Sequence, residues 1–185
     1  MKRNLIIKAA TWILYGSLVV LAIVLLSLVA MGIHWHMDKS FYENFYLVNG
    51  FQAGLDSFRL KISHDHLPVI SLADVSNGTI YWILIRNSII IIIFILIVKK
   101  MLDILRSIRD LNTFYEGNVT AFRQLALLSL LSALVAFFNF GAVGEEIIWN
   151  FTVPFKPIIS TAICLTLSEV FKEGKRLFDD SKTII

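Results

Sequence analysis

The chain has 185 residues, a formal net charge of +3, 57% hydrophobic residues and 17% charged residues. Soluble domains average about 45–50% apolar and about 25% charged, so this composition excludes an ordinary soluble globule and points to a membrane protein. The single cysteine, Cys164, excludes an intrachain disulfide and any Cys-x-x-Cys metal or redox motif.

Residues 9–33, "AATWILYGSLVVLAIVLLSLVAMGI", carry no charge. About 20 apolar residues cross a hydrocarbon core of about 30 Å, so this run predicts a first span. It is longer than the apolar part of a signal peptide and lacks a clear cleavage site, so it reads as an anchor. Residues 34–78 form a long connection. Within it "FRLKIS" (58–63) alternates apolar and polar residues, Asn49-Gly50 offers a hairpin turn, and "LPVISLADVSNG" reads as an extended segment closed by a turn. The expectation is a small strand-containing cap.

A second span covers 79–98, interrupted only by Arg86 and Asn87. Beyond it, Met101, Ile104, Leu105, Ile108 and Leu111 recur at helical spacing among basic residues, so the helix continues as an amphipathic segment. Thr113 to Glu116 has the capping-box pattern that starts a helix. The third span, 124–143, has one polar break at Asn139. The fourth, 153–171, is the weakest, with Lys156 near its start and Glu169 near its end. Pro154 and Pro157 mark its first turn, where a missing N–H donor is tolerated. The tail, 172–185, is again amphipathic.

Lysine and arginine set orientation. Lys2, Arg3 and Lys8, then Lys99, Lys100, Arg106, Arg109 and Arg123, then Lys172, Lys175, Arg176 and Lys182 fall on one side; only Lys39, Arg59, Lys61 and Lys156 fall on the other. Both termini, the 99–123 loop and the 172–185 tail are therefore expected inside, with the 34–78 loop outside. Trp35, Tyr81, Trp82 and Trp149 fit an outer aromatic belt, and Trp12 an inner one. The fold class is thus an all-α membrane protein with four transmembrane helices in a single domain, N-in and C-in, its outer loop carrying strands. A multi-pass integral membrane protein is the expected setting.

All four histidines stand in two His-x-His pairs, His34/His36 and His64/His66. On strands, residues two apart point the same way, so the pairs would supply two nitrogens each to a zinc, copper or nickel ion, with Asp38 and Asp65 nearby. A wet loop holding its ordinary share of polar residues explains them equally, and His-x-His alone is a weak motif. No cofactor is expected beyond that one candidate metal. An arginine inside a span is costly and usually paired. Candidate partners for Arg86 are Glu145, Glu146 and Asn139, in a structural ion pair or in an ion or solute pathway. Nucleophile elbows, P-loops, His-Glu-x-x-His and catalytic Cys-His pairs are absent, so no enzymatic activity is expected. Nor is direct nucleic-acid binding, since no aromatic-basic platform is recognisable. Asn-x-Ser/Thr patterns at Asn77, Asn118 and Asn150 occur often by chance.

"TFYEGNVTAFRQLALL" resembles the inner-loop signature of the bacterial domain-of-unknown-function 2975 family, roughly Pro-Phe-Thr-x-Glu-Asn-Val-x-x-Leu-Arg. Phe114, Asn118, Val119 and Arg123 match it, while Thr113, Gly117 and Phe122 replace its Pro, Glu and Leu. "LSEVFKEGKRLFDDSKTII" is similar to that family's C-terminal signature through Leu167, Glu169, Val170, Phe171, Gly174 and Leu177, with Asp180, Thr183 and Ile184 following. The resemblance implies four spans and a long first outer loop, and brings no catalytic residues. It also implies an association, because family members are often encoded beside a very small helix-turn-helix repressor-like protein. With the lipid bilayer as one partner, the inner face then becomes the candidate docking surface for such a regulator, through Phe114, Asn118, Arg123, Phe171, Gly174 and Leu177. The alternative is an extracytoplasmic metal-binding or sensing protein, or a small-solute transporter.

Overall fold

Helix α1 (Lys2–Met37) is apolar on every side. Ile7, Leu14, Leu21, Leu28 and Trp35 recur every seven residues along its more covered stripe. Its opposite side exposes Leu5, Ile6, Trp12, Ile13, Val19, Val20 and Ile23. A helix that presents hydrocarbon both to its neighbours and to its surroundings is one solvated by lipid. The structure, a computed structural model, describes residues 2–42, 46–47, 57–59, 70–71, 75–109, 116–143 and 146–183.

Past Met37, the Asp38 carboxylate accepts from Ser40 Oγ at 2.6 Å and from the Phe41 N–H at 3.3 Å. This is an N-cap, and it starts a short 3-10 turn at Ser40–Tyr42. Helix α2 (Asn77–Arg109) begins with the same device. The Ser76 hydroxyl accepts from the Thr79 N–H at 3.2 Å, so Asn77-Gly78, expected as a turn, instead opens the helix. The side chain at Ser76 satisfies a donor that the first helical turn would otherwise leave bare. As the periodicity after Val98 predicts, α2 runs unbroken to Arg109.

Helix α3 (Glu116–Phe137) begins at the residue the capping-box pattern places inside a first turn; Thr113 itself lies outside the described residues. It does not reach residue 143. Phe138–Val143 forms strand β4, which corrects the expected 124–143 span. The cause is local. "FFNFGAV" puts aromatics, Asn and Gly, all poor helix formers, directly against a β-prone partner. Strand β5 (Glu146–Pro154, "EIIWNFTVP") pairs antiparallel with β4, Phe138 opposite Phe151 and Val143 opposite Glu146. Phe137, Phe138 and Phe151 meet at ring-centroid distances of 5.0 to 5.8 Å, pinning the switch from helix to strand.

The first connection also pairs. Tyr46–Leu47 (β1) is antiparallel to Ile70–Ser71 (β3), and Ser57–Arg59 (β2) adds to β5 with Phe58 opposite Val153. The second sheet therefore has the order β2-β5-β4. The described part of the expected 58–63 strand is β2; residues 60–63 and the Asn49-Gly50 turn lie outside the described residues.

Helix α4 (Phe155–Thr183) runs antiparallel to α3. Ser129 and Ser160 share a hydroxyl hydrogen bond at 3.3 Å, Thr161 Oγ1 donates to the Ala126 carbonyl, and Ser168 Oγ donates to the Val119 carbonyl. On the α3 side of these contacts Val119, Ala126 and Ser129 are buried, as is Ser168 on α4. Small and hydroxyl-bearing residues let two helix backbones approach closely and satisfy each other, the usual currency of association within lipid.

Three helices contain stretches long and apolar enough to cross a membrane: α1, α2 and α3. Helix α4 does not reach that measure among the described residues, matching its weak sequence signal. The chain divides into two compact units. One comprises Met1–Ala22, Ile92–Ser132 and Lys156–Ile185; the other comprises Ile23–Ile91 and Ala133–Phe155.

Candidate functional site

The residues that carry the two signatures meet each other. Arg123 Nη2 bonds Glu169 Oε1 at 3.1 Å, and Lys172 Nζ reaches the other carboxylate oxygen at 3.3 Å. Phe122 packs on Phe171 with ring centroids 5.0 Å apart, and Ser168 bonds the Val119 carbonyl. Asn118 is only 3% exposed. It is buried, so its side chain is not open on the surface where it was expected to meet a partner. Phe171 and Gly174 are half-buried, while Leu177 is 64% exposed. Phe114 lies outside the described residues. The inner-loop and tail motifs thus encode an α3/α4 helical hairpin, and of the described docking candidates Leu177 is the one most open to a partner.

Further along α4, Lys175 Nζ bonds Glu116 at 3.0 Å, which raises the lysine above its ordinary pKa. Arg176 pairs with Glu173 at 3.4 Å. Exposed pairs of this kind contribute little each. Of the two, Lys175–Glu116 crosses from α4 to the start of α3, whereas Arg176–Glu173 lies within α4.

His34 and His36 lie in the last turn of α1, not on a strand. Two residues along a helix is a rotation of about 200°, so the two rings diverge instead of sharing a face. His34 Nδ1 is 3.1 Å from Tyr42 Oη, and its ring stands edge-on to Phe41 and Tyr42. His36 Nδ1 is 3.0 Å from Tyr81 Oη. Each ring therefore clips α1 to a different neighbour. His64 and His66 lie outside the described residues, and no cluster of three or more metal-ligating side chains occurs among the described ones.

Between the two rings, Trp35 is 2% exposed. It packs with Tyr42, Val75 and Ile80, Met31 and Leu84 covering the rim, and its Nε1 donates to Asn77 Oδ1 at 3.3 Å. Lys39 Nζ stands 5.5 Å from the ring centroid. Trp35 is the centre of a small core, not the belt anchor its position suggests. Asp38 completes this end of α1. Its carboxyl lies below the usual value, chiefly through the Ser40 hydroxyl and then the Phe41 N–H. Of the partners at this end of α1, Tyr81 reads in the sequence only as a belt aromatic, Asn77 only as part of a common Asn-x-Thr pattern, and Tyr42 carries no motif. The aromatic density of "HWHMDKSFY" was the available signal.

Arg86 Nη1 donates to the Phe138 carbonyl at 3.2 Å. That carbonyl follows the last residue of α3, where backbone acceptors lack helical partners and a cation is favoured by the helix dipole. The arginine so caps α3 from α2. Its Nε is buried without a hydrogen-bond partner among the described residues. Glu145, and the side chains of Asn139 and Glu146, lie outside them.

A family described as "Protein of unknown function (DUF2975)" matches residues 63–185, about two thirds of the chain. The chain belongs to this family. The DUF2975 match takes in α2, α3, the β4/β5 hairpin and α4, and it begins after α1 and most of the first connection. No curated protein and no solved structure matches the chain. The DUF2975 description names no reaction, so the paired signatures are its physical content here: a helical hairpin sealed by hydroxyls and ion pairs.

Proposed function

We propose that the chain is a four-span protein of the bacterial cytoplasmic membrane with both termini inside, without enzymatic activity, holding a small cytoplasmic helix-turn-helix regulator at its inner face. The fourth span is supported by the antiparallel contacts that tie α4 to α3 from Ser160 to Lys175. A bilayer that accepts α3 accepts the helix alongside it. Within the apolar part of α4 the uncharged polar residues Ser160, Thr161 and Ser168 bond to α3 and cost little there. The orientation is supported by how the charges sort. The unit holding Met1–Ala22, Ile92–Ser132 and Lys156–Ile185 contains all twelve lysines and arginines assigned to the inner side, with Lys156 as its one outer-side member.

The observation that carries docking is Leu177. It is 64% exposed on an α4 extension, with Phe178 47% exposed beside it, in a segment otherwise built of charges. Amphipathic helices present such residues to a partner groove. The choice of a helix-turn-helix partner comes from the family resemblance. The test is affinity purification of the tagged protein from its native membranes, repeated with Leu177→Ser and Phe178→Ser. The small regulator should co-purify with the parent chain and be lost from the variants while their helical content is unchanged. Failure to recover any DNA-binding protein, or full retention by both variants, refutes the docking. Orientation is read separately, by impermeant thiol labelling on a Cys164→Ala background: Ser40→Cys should label in intact cells and Ser181→Cys should not.

A further inference from the structure

Strands β2, β5 and β4 lie side by side, and their register sorts the residues by polarity. Residues paired across antiparallel strands share a face of the sheet, and successive residues alternate between the two faces. One face takes the pairs Phe138–Phe151, Phe140–Trp149 and Phe58–Val153. Ala142 and Ile147, paired farther toward the tip, complete it without a polar residue. The other face takes Asn139–Asn150 and Arg59–Thr152, with Glu146 in the last pair. The rings of Phe138 and Phe151 meet at 5.7 Å, as a shared face requires. Such alternation belongs to a sheet with one face covered and one solvated. Yet the described aromatics of the apolar face are open, Phe138 at 51% and Phe151 at 44% exposure.

Both ends of the β4/β5 hairpin are tethered to helices. Strand β4 follows α3 without a break at Phe137, and α4 begins at Phe155 directly after β5. Helix α3 contains a stretch apolar enough to cross a membrane, and Leu134, one turn before Phe138, is exposed. Phe155, on the α4 side, is exposed as well. The open apolar surface therefore runs from Leu134 to Phe138 and, through their ring contact, to Phe151. Arg86 fixes this junction by holding the Phe138 carbonyl from α2. A surface that continues from a lipid-solvated helix without interruption meets lipid before it meets anything else.

We propose that this three-stranded sheet rests on the membrane surface beside α3, its aromatic face in the lipid interface and its Arg59–Thr152 face toward water. The placement rests on the membrane reading above. The sheet's edges set its depth. Outer strands of an open sheet carry N–H and C=O groups that need water or headgroups, so the sheet cannot sink into hydrocarbon. It lies flat, with its rings at the headgroup level that indole in particular favours. Nitroxide labels on the full chain, in phosphatidylethanolamine–phosphatidylglycerol bilayers and on a Cys164→Ala background, test it. Contact with oxygen, concentrated in lipid, should exceed contact with a nickel chelate, confined to water, at Trp149→Cys and Phe151→Cys. The order should reverse at Asn150→Cys and Thr152→Cys, so that accessibility alternates residue by residue along β5. Phe58→Cys and Arg59→Cys on β2 should repeat the contrast with β4 and β5 left native. Nickel contact at every position would place the sheet in water and overturn the proposal. Low contact with both reagents at Trp149→Cys, Phe151→Cys and Phe58→Cys would show protein covering the face, a second copy or a partner, and overturn it equally. Alkaline carbonate separates the two levels. Release of the parent chain from native membranes would overturn the membrane reading, whereas retention without alternation would overturn the sheet's placement alone.

Discussion

Trp35 offers the sharpest contrast between a residue at a membrane boundary and one in a core. An indole anchored among headgroups loses little when shortened. Trp35 instead is 2% exposed, its ring 5.1 Å from that of Tyr42, against Val75 and Ile80, with Nε1 bonded to Asn77. Trp35→Ala should cost about 3–5 kcal/mol, the range for emptying an aromatic site in a packed core. Trp35→Phe keeps much of the ring contact and loses the indole hydrogen bond, so about 0.5–1.5 kcal/mol plus a small cavity is expected. Trp12, 76% exposed, is the control, and Trp12→Ala should stay within about 0.5 kcal/mol. The measurement is reversible unfolding from mild micelles by titrated dodecyl sulfate, followed by far-ultraviolet circular dichroism. A Trp35→Ala midpoint no lower than that of Trp12→Ala would refute the core assignment and restore Trp35 to the aromatic belt.

Three further outcomes follow from the contacts. The Asp38 carboxyl is held below its ordinary value by the Ser40 hydroxyl and the Phe41 N–H, so its contribution is present above the unfolded value near 3.8. That contribution fades as pH falls through the lower folded value; stability measured from neutral to strongly acidic pH should show the loss, and Asp38→Asn should flatten it. Ser168 is 1% exposed with its hydroxyl on the Val119 carbonyl, so Ser168→Leu overpacks the α3/α4 seam. A loss of about 1–3 kcal/mol is expected in the same unfolding assay, and a neutral result would show the seam to be loose. Reversing either member of the Arg123–Glu169 pair should lower stability, and the double reversal Arg123→Glu/Glu169→Arg should recover part of it. Additive losses would show the pair to be uncoupled.

By itself the sequence determined the solvent of this protein. Uncharged runs as long as residues 9–33 have only one comfortable surrounding, and the structure leaves the far side of α1 bare of protein as that requires. Helical spacing through Met101, Ile104 and Ile108 also predicted that α2 would outrun its apolar stretch, because a 3.6-residue period is a local property. Tertiary structure decided what no local pattern could. Residues 138–143 are as apolar as a span, yet they pair with "EIIWNFTVP", and a strand is stabilised by a partner distant in sequence. His34 and His36 looked convergent only on an assumed strand; the helix turns them apart, toward Tyr42 and Tyr81. The family motifs look like sites one at a time. Once α3 and α4 run antiparallel, Arg123 meets Glu169 and Val119 meets Ser168, and the two motifs become the two halves of one helix contact.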